Sequence, residues 1–567
     1  MATTRALIIS GLILLTLTSS LFAQQKKKSY SEEVTVTSPY QPSVAEGSKI
    51  TFQPRISDST ILLSKQVYNI KPFPLQTKVT INPLEAAKLA EEQPAPIFRN
   101  YIKGGLGSTT SPYVEFFASN GANPNNLFSV HLKHLSSLGD IPHQWFPGQS
   151  ENEAQIAAQF FNESNVIKLN ASYDRDVFHY YAPHIFKGTQ LYEPTEDSLR
   201  QRYGLVKASF GITSKSEDEE ALKYDFSVEA SNLQDYYKTQ ETNFQVNGMI
   251  RKSTDWFSFS DHQSIGLNVS VDNNNLKNVL KTKNNSLVEL LPAYNLLFDE
   301  YQIKAGLKIS FDLDSVSHIY FHPFIESKIR LISDKLYLLA GMTGGLHRYN
   351  FNTLRLMNPF ISSLTSSVTE NEQFNLYAGL KGNIAQAVDF EARFESKILD
   401  NMPLFVNERL STAYQQHTVH QQRFEVITDD INLIRVSLSA GYTGTDFQIK
   451  LNGNWNHYST NTQLYAWQRP EMEGTLEASV KVAPKWSLNT KIYTWGDSKA
   501  ISWNPADQVI ATKLKGASDI NFGITYKQSK QLSVFMNLNN ILNNNYERWN
   551  LYPSYGFNAM AGLSFAF

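Results

Sequence analysis

The chain of 567 residues contains no cysteine, which removes disulfides, thiolate metal sites, a cysteine nucleophile and any lipid anchor on a thiol. Past its opening segment it also lacks a long hydrophobic run. Nothing there approaches about 18 consecutive apolar residues, and the mean hydropathy is −0.33, so membrane-spanning helices are excluded. Charge of one sign is missing too: the net value is −2, which gives no attraction for nucleic acid, and Lys26-Lys27-Lys28 reads as a solvated cluster. No glycine-rich phosphate loop follows a strand into a helix, and no serine stands in a nucleophile elbow. No enzyme site is therefore expected, and neither is a cofactor.

What is present begins at the amino end. Arg5 precedes an apolar run from Ala6 to Leu17, and Leu21-Phe22-Ala23 ends in a small residue, which predicts a secretory signal over residues 1–23. An exported chain without helical spans is either soluble or a β-barrel. In a barrel every second side chain faces lipid while the others face a wet interior, so the average hydropathy conceals the membrane segments. With Tyr 28, Phe 34 and Trp 8, the chain carries the aromatic residues that such barrels place at both interfaces.

Two regions follow the signal. From Gln24 to Pro96 the sequence is irregular and spotted with prolines, Pro39, Pro42, Pro54, Pro72, Pro74, Pro83 and Pro94 among them, and reads as an extended periplasmic or lumenal leader. A short helix at Leu84 to Glu91 is its one exception. Residues 97–567 alternate. Tyr301, Ile303, Ala305, Leu307, Ile309, Phe311 and Leu313 share one face, opposed by Gln302, Lys304, Lys308, Ser310 and Asp312. Phe447, Ile449, Leu451 and Trp455 oppose Gln448, Lys450, Asn452 and Asn454; Phe390 and Phe394 oppose Glu391, Arg393 and Glu395; Ile167, Leu169 and Tyr173 oppose Lys168, Asn170 and Asp174.

Soluble sandwiches alternate as well, but these strands reach the roughly 10 residues needed to cross a bilayer when tilted. Short turns at Ser333-Asp334-Lys335 and Ala483-Pro484-Lys485 alternate with long polar stretches read as loops, His347 to Glu372 and Lys397 to Gln422. The prediction is an all-β, transmembrane antiparallel barrel of about 20 strands, with 16 to 22 allowed, from about 45 residues per hairpin. Its lumen is too wide for wall side chains to fill, so it is water-filled or occupied by another segment. The proline-spotted leader cannot build a core of its own and is expected to leave a water path.

At the carboxyl end Phe557, Ala559, Ala561, Leu563, Phe565 and Phe567 alternate with polar and small residues. A strand finishing this way resembles the closing-strand signal read by the barrel-assembly machinery, with Phe565 and Phe567 as its carriers. Asn537-Leu538-Asn539-Asn540-Ile541-Leu542-Asn543-Asn544-Asn545-Tyr546-Glu547 resembles the element before the last strand of TonB-dependent receptor barrels. Glu33-Val34-Thr35-Val36-Thr37 looks like a TonB box. Arg99-Asn100-Tyr101, His131 to Ser136 and Asp174 to Tyr181 are similar to segments of receptor-like barrels of Bacteroidota. This resemblance implies TonB-driven uptake of a bound solute. The pattern departs from that family before the first strand, where about seventy residues leave no room for a folded plug of well over a hundred.

Candidate chemistry is sparse. His131 and His134 fall on opposite faces of a strand, His417 and His420 lie in a long loop without a carboxylate at metal spacing, and His318, His322 and Glu326 read as polar lumen wall. No metal site is expected. Lys168, Lys308, Asp312, Glu391, Arg393, Glu395 and Lys450 are the lumen-facing candidates, and Glu391, Arg393 and Glu395 are either a solute site or a self-neutralising charge ladder. The expected protein is a Gram-negative outer-membrane channel or receptor-like transporter for a solute. The alternative is a non-transporting barrel that scaffolds an assembly or secretion complex. Expected partners are outer-membrane lipids, the assembly machinery, an unidentified solute, and TonB or another outer-membrane protein, with no nucleic acid.

Overall fold

The computed structural model describes residues 98–567 except 122, 124, 183–194, 217, 219, 259, 261, 315, 334, 385–386, 409–422 and 504–507, and gives only the backbone of 502–503. The signal, the leader with its helix, Glu33 to Thr37, His417 and His420 lie outside the described residues.

Twenty-two strands each pair antiparallel with the next, from Tyr101–Gly107 round to Asn558–Ala566. The last pairs with the preceding Leu532–Asn539 and also with the first, from Tyr101↔Ala566 to Gly107↔Met560, so the sheet closes on itself. The count is the upper limit of the sequence expectation. Closure removes every free edge, which is what lets backbone amides enter hydrocarbon without unpaired polar groups.

Alternation decides which face goes where. Leu307 is 43% exposed and Ser310, three residues on, is 0% exposed, so here the apolar face is the outer one, the reverse of a soluble protein. The neighbouring strand continues the band, with Ile319, Phe321 and Ile325 exposed on the same side, and Leu169, Phe394 and Leu451 do the same on distant strands. Such a belt has only lipid as its solvent.

Turns and loops divide between the rims. On the rim that carries the chain ends, connections are short, such as 298–300, 333–335, 444–446 and 484–485. The opposite rim carries longer connections such as 350–367 and 540–557.

Two loop boundaries need correction. Strands Val388–Asn407 and Phe424–Thr443 run to 20 residues each, so much of the stretch from Lys397 to Gln422 is wall rather than loop. Likewise Leu336–Tyr349 and Val368–Ile384 reach into the stretch from His347 to Glu372, whose middle folds into the helix Phe351–Met357. Twenty residues at about 3.3 Å each give roughly 66 Å, which even when tilted exceeds a hydrocarbon core of about 30 Å. These strands stand clear of the bilayer on the loop side. At the closure the wall is low, with Tyr101–Gly107 only 7 residues long.

That closure is also tight. Gly105 lies opposite Gly562, and a Cβ on Gly562 would fall 2.0 Å from the Gly104 carbonyl oxygen. The Phe535 ring lies over both glycines, its Cζ 2.5 Å from that same Cβ position and 3.0 Å from the equivalent point on Gly105. An aromatic ring thus fills, on the inner face, the space that side chains would occupy elsewhere.

Candidate functional site: the loop cap and the inner wall

The largest buried core does not lie within the sheet. It joins loop residues Ile141, Tyr180, Tyr181, Phe351, Leu354, Phe360, Ile361, Tyr552 and Tyr555 to wall residues such as Tyr203, Leu233, Phe405 and Phe424. Tyr203 belongs to the sixth strand and Phe424 to the sixteenth, ten steps apart one way and twelve the other in a ring of 22. A chain of ring contacts bridges them, with centroid separations of 5.7 Å for Tyr203 to Phe178, 5.5 Å for Phe178 to Phe360, 3.6 Å for Phe360 to Tyr552 and 6.0 Å for Tyr552 to Phe424. The loop-side end is therefore spanned from wall to wall by an aromatic cap. The expected water path meets this obstacle on the loop side.

Hydrogen bonds fix the cap by joining loops distant in sequence. Tyr180 Oη donates to the Ile361 carbonyl at 3.1 Å, Tyr181 Oη to that of Pro553 at 2.9 Å, and Tyr555 Oη to that of Pro147 at 2.6 Å. Each gives a cap phenol a backbone acceptor on a distant segment. Burial holds the Tyr180 and Tyr552 phenols neutral, well above their usual range. The Arg423 guanidinium lies over the Tyr237 ring at 4.3 Å and the Tyr180 ring at 5.1 Å. The helix Phe351–Met357 is seated by Glu241, whose two carboxylate oxygens accept the Phe351 and Asn352 N–H groups at 2.8 Å each. Asp429 similarly collects the N–H groups of Asn461, Thr462 and Gln463, anchoring the loop that carries the buried Trp467.

The asparagine-rich element before the last strand builds the remaining loop. Asn540 and Asn543 adopt φ of 51° and 49°, a left-handed backbone that asparagine tolerates. Asn540 Nδ2 donates to the Tyr555 carbonyl at 3.1 Å, and Tyr546 Oη to Asp519 Oδ2 at 2.8 Å. Leu551, at φ 72°, is held in the same region by its N–H donating to Glu547 Oε2 at 3.1 Å. Burial raises the Glu547 carboxyl above its ordinary value, against the pull of that hydrogen bond. It also raises Glu408, against the opposing Arg423 charge and the Ser362 hydroxyl.

The predicted lumen residues all lie on the face opposite the apolar belt, but they do not form one site. Arg393 pairs with Glu395 at 3.5 Å, Lys397 bridges Glu395 at 3.9 Å and Glu372 at 2.9 Å, and Glu391 takes Lys381 at 3.1 Å. That is the charge-ladder arrangement, with the Arg393 guanidinium also 3.8 Å from the Tyr377 ring centroid. Lys308 packs against Gly345 and lines a cavity of about 510 Å³ with Asp225, Asn247, Asn268, Ser270 and Glu289. Asp312 lies across the ladder from His318. Lys168 and Lys450 lie apart from these, on the fifth and seventeenth strands, Lys450 across the ladder from Glu477.

His131 meets Glu115 at 3.1 Å inside the barrel, while His134 pairs with Asn152 at 2.7 Å on the other face. His322 pairs with Asn371 at 2.8 Å. No group of three or more metal-ligating side chains is found among the described residues. Missed by sequence reasoning were Arg348, whose Nη1 reaches Asp272 Oδ1 at 3.5 Å across the inner wall, and the cap itself. The dense aromatics at Tyr180-Tyr181, Phe360 and Trp549 to Tyr555 were the available signal for the cap.

No protein-family model matches the chain, and no curated protein matches it in sequence. Its fold does have counterparts among solved structures. The siderophore receptor PirA from Acinetobacter baumannii superposes with a TM-score of 0.61 at 11% identity, over 82% of this chain and 80% of that one. The FrpB iron transporter from Neisseria meningitidis (F3-3 variant) gives 0.62 at 10%, over 83% and 82%. The pyoverdine outer membrane receptor FpvA from Pseudomonas aeruginosa PAO1, bound to pyoverdine, gives 0.62 at 10%, over 84% and 79%. A ring of 22 strands is also the size at which outer-membrane transporter barrels carry a plugged lumen. The chain has the fold of these outer-membrane receptor barrels.

Proposed function

We infer that the protein is a receptor-like transporter of a Gram-negative outer membrane that takes up a solute through its barrel. The observation that carries this reading is the wall-to-wall aromatic cap over a wide polar lumen: a barrel closed on the loop side by its own folded loops behaves as a gated receptor rather than an open pore. Because PirA is a siderophore receptor, FrpB an iron transporter and FpvA a pyoverdine receptor, iron chelates are the first solutes to try. In this reading Glu33 to Thr37 engages TonB, and Phe565 and Phe567, both exposed toward lipid, serve recognition by the assembly machinery. The cap takes over the closure that a folded plug would provide.

The test is energised uptake of radiolabelled iron chelates by cells lacking the gene, complemented with the wild type or with Val34→Pro. Uptake restored by the wild type and lost in the proline variant supports the reading. Equal uptake in null and complemented cells across the chelates moves the assignment to the scaffold barrel, which the dense hydrogen bonding of the cap also favours.

A further inference from the structure

On the loop side of the inner wall, cations stand on carboxylates: Arg348 on Asp272, Arg355 on Asp176 at 2.9 Å, Lys397 on Glu372, and Lys283 on Asp314 at 2.7 Å. The terminus-side half differs. Across the six strands from Lys223–Asp235 to Ser317–Ile332, the inward residues Lys223, Arg251, Lys304, Lys328 and Arg330 have no ion pair among the described residues. Their inward direction follows from alternation, since Phe226, Ile250, Leu307 and Ile325 are the exposed, lipid-side residues of the same strands.

Two features mark an excess of cations on this arc. Lys223 and Arg251 are direct cross-strand partners, like charges opposed at one rung of the ladder, an arrangement that costs stability. Lys304 and Lys328 sit over aromatic rings instead, with Nζ 4.7 Å from the Phe324 centroid and 4.2 Å from that of Tyr337, and a ring holds a cation without cancelling its charge. Against these five cations and Lys308 stand four inward carboxylates, Asp225, engaged by the Thr213 hydroxyl at 3.0 Å, Glu326, opposite Lys304, Glu289, accepting from the Ser310 hydroxyl at 2.9 Å, and Glu229, so six cations face four anions. The cavity of about 510 Å³ beside this arc adds Asn247, Asn268, Ser270 and Lys308 as donors, next to the carboxylates Asp225 and Glu289.

We propose that the terminus-side half of the lumen, along the arc from Lys223 to Arg330, is a binding vestibule for a small polyanionic solute bearing carboxylate, phosphate or sulfonate groups. This deepens the transporter reading by giving the sign of its cargo. Because the cations face the lumen, lipid headgroups do not reach them, and a cationic solute is repelled.

The test uses the full-length mature protein in uncharged detergent micelles, titrated into pyrenetetrasulfonate with fluorescence anisotropy as readout. Binding at low ionic strength should vanish near 1 M salt, where the screening length falls to about 3 Å. K223E/R251E should weaken it roughly tenfold or more, while K530E, a single charge reversal in the turn 528–531 on that rim, should leave it nearly unchanged. Folding is verified by gel mobility without heating, and K223Q/R251Q replaces the reversal variant if that one fails to fold. No binding by the wild type, unchanged binding by the lumen variant, or equal weakening by K530E would overturn the vestibule. The assay requires no transport, so failed uptake with retained binding would refute the transporter and leave the vestibule standing.

Discussion

The rings of Phe360 and Tyr552 stack with centroids 3.6 Å apart and planes at 19°, joining two loops that rise from parts of the wall eight strands apart in a ring of 22. Removing this pair should open the cap. Truncating a buried aromatic costs about 3–5 kcal/mol, more than loops held mainly by one another can absorb without local opening. Phe360→Ala/Tyr552→Ala should speed hydrogen exchange in 350–367 and 540–557 and raise ion conductance in planar bilayers. Unchanged exchange and conductance would show that other contacts carry the closure.

The face assignment gives a sharper contrast. Leu307→Arg puts a charge into lipid, at roughly 2–4 kcal/mol near the midplane, whereas Lys308→Ala alters only the inner wall. The first should fold poorly into liposomes and the second well. Equal folding yields would invert the faces.

At the closure, Gly562→Val should slow assembly severely, because its side chain meets the Gly104 carbonyl and the Phe535 ring. Ala561→Val, one residue away and turned toward lipid, should assemble as the wild type does. Pulse-chase appearance of the heat-modifiable form measures both. Similar kinetics for the two variants would deny the tight approach.

The cap should be firmer in acid. Glu547 and Glu408 have folded values raised above 4.5 by burial, so their contribution to stability is complete below that value and is lost as pH climbs through the folded value. Protease protection of the loops should therefore fall as pH rises above 4.5. Glu547→Gln, which keeps an acceptor for the Leu551 N–H, should flatten part of this slope. A wild-type profile independent of pH would remove both carboxyls from the account.

The wall was legible because parity is local: Leu307 and Lys308 announce opposite environments whatever lies elsewhere. The cap was not, since Leu404, Phe405 and Val406 are all at most 1% exposed, and burial on both faces erases the alternation that marks a strand. Tyr180-Tyr181 and Phe360-Ile361 likewise look like loop until the ring is closed and brings them over one another. For the lumen candidates parity supplied the direction but not the company. Lys397 joins Glu395 on its own strand to Glu372 on the neighbouring one, whereas Lys168 and Lys450 lie nearly half a circumference apart. Such groupings depend on how many strands intervene, a quantity no short window contains.

The low wall at Tyr101–Gly107 has a consequence for the lipids beside it. Seven residues span about 23 Å along the strand and roughly 16 Å in height at a tilt near 45°, well short of a hydrocarbon layer about 30 Å thick. Acyl chains at this point must compress or splay to keep the rims wet, at a fraction of a kcal/mol per Å of mismatch. Beside the 20-residue strands no such strain arises. The protein thus imposes an uneven thickness on the leaflets around its girth, softest along the line where its two ends are stitched together.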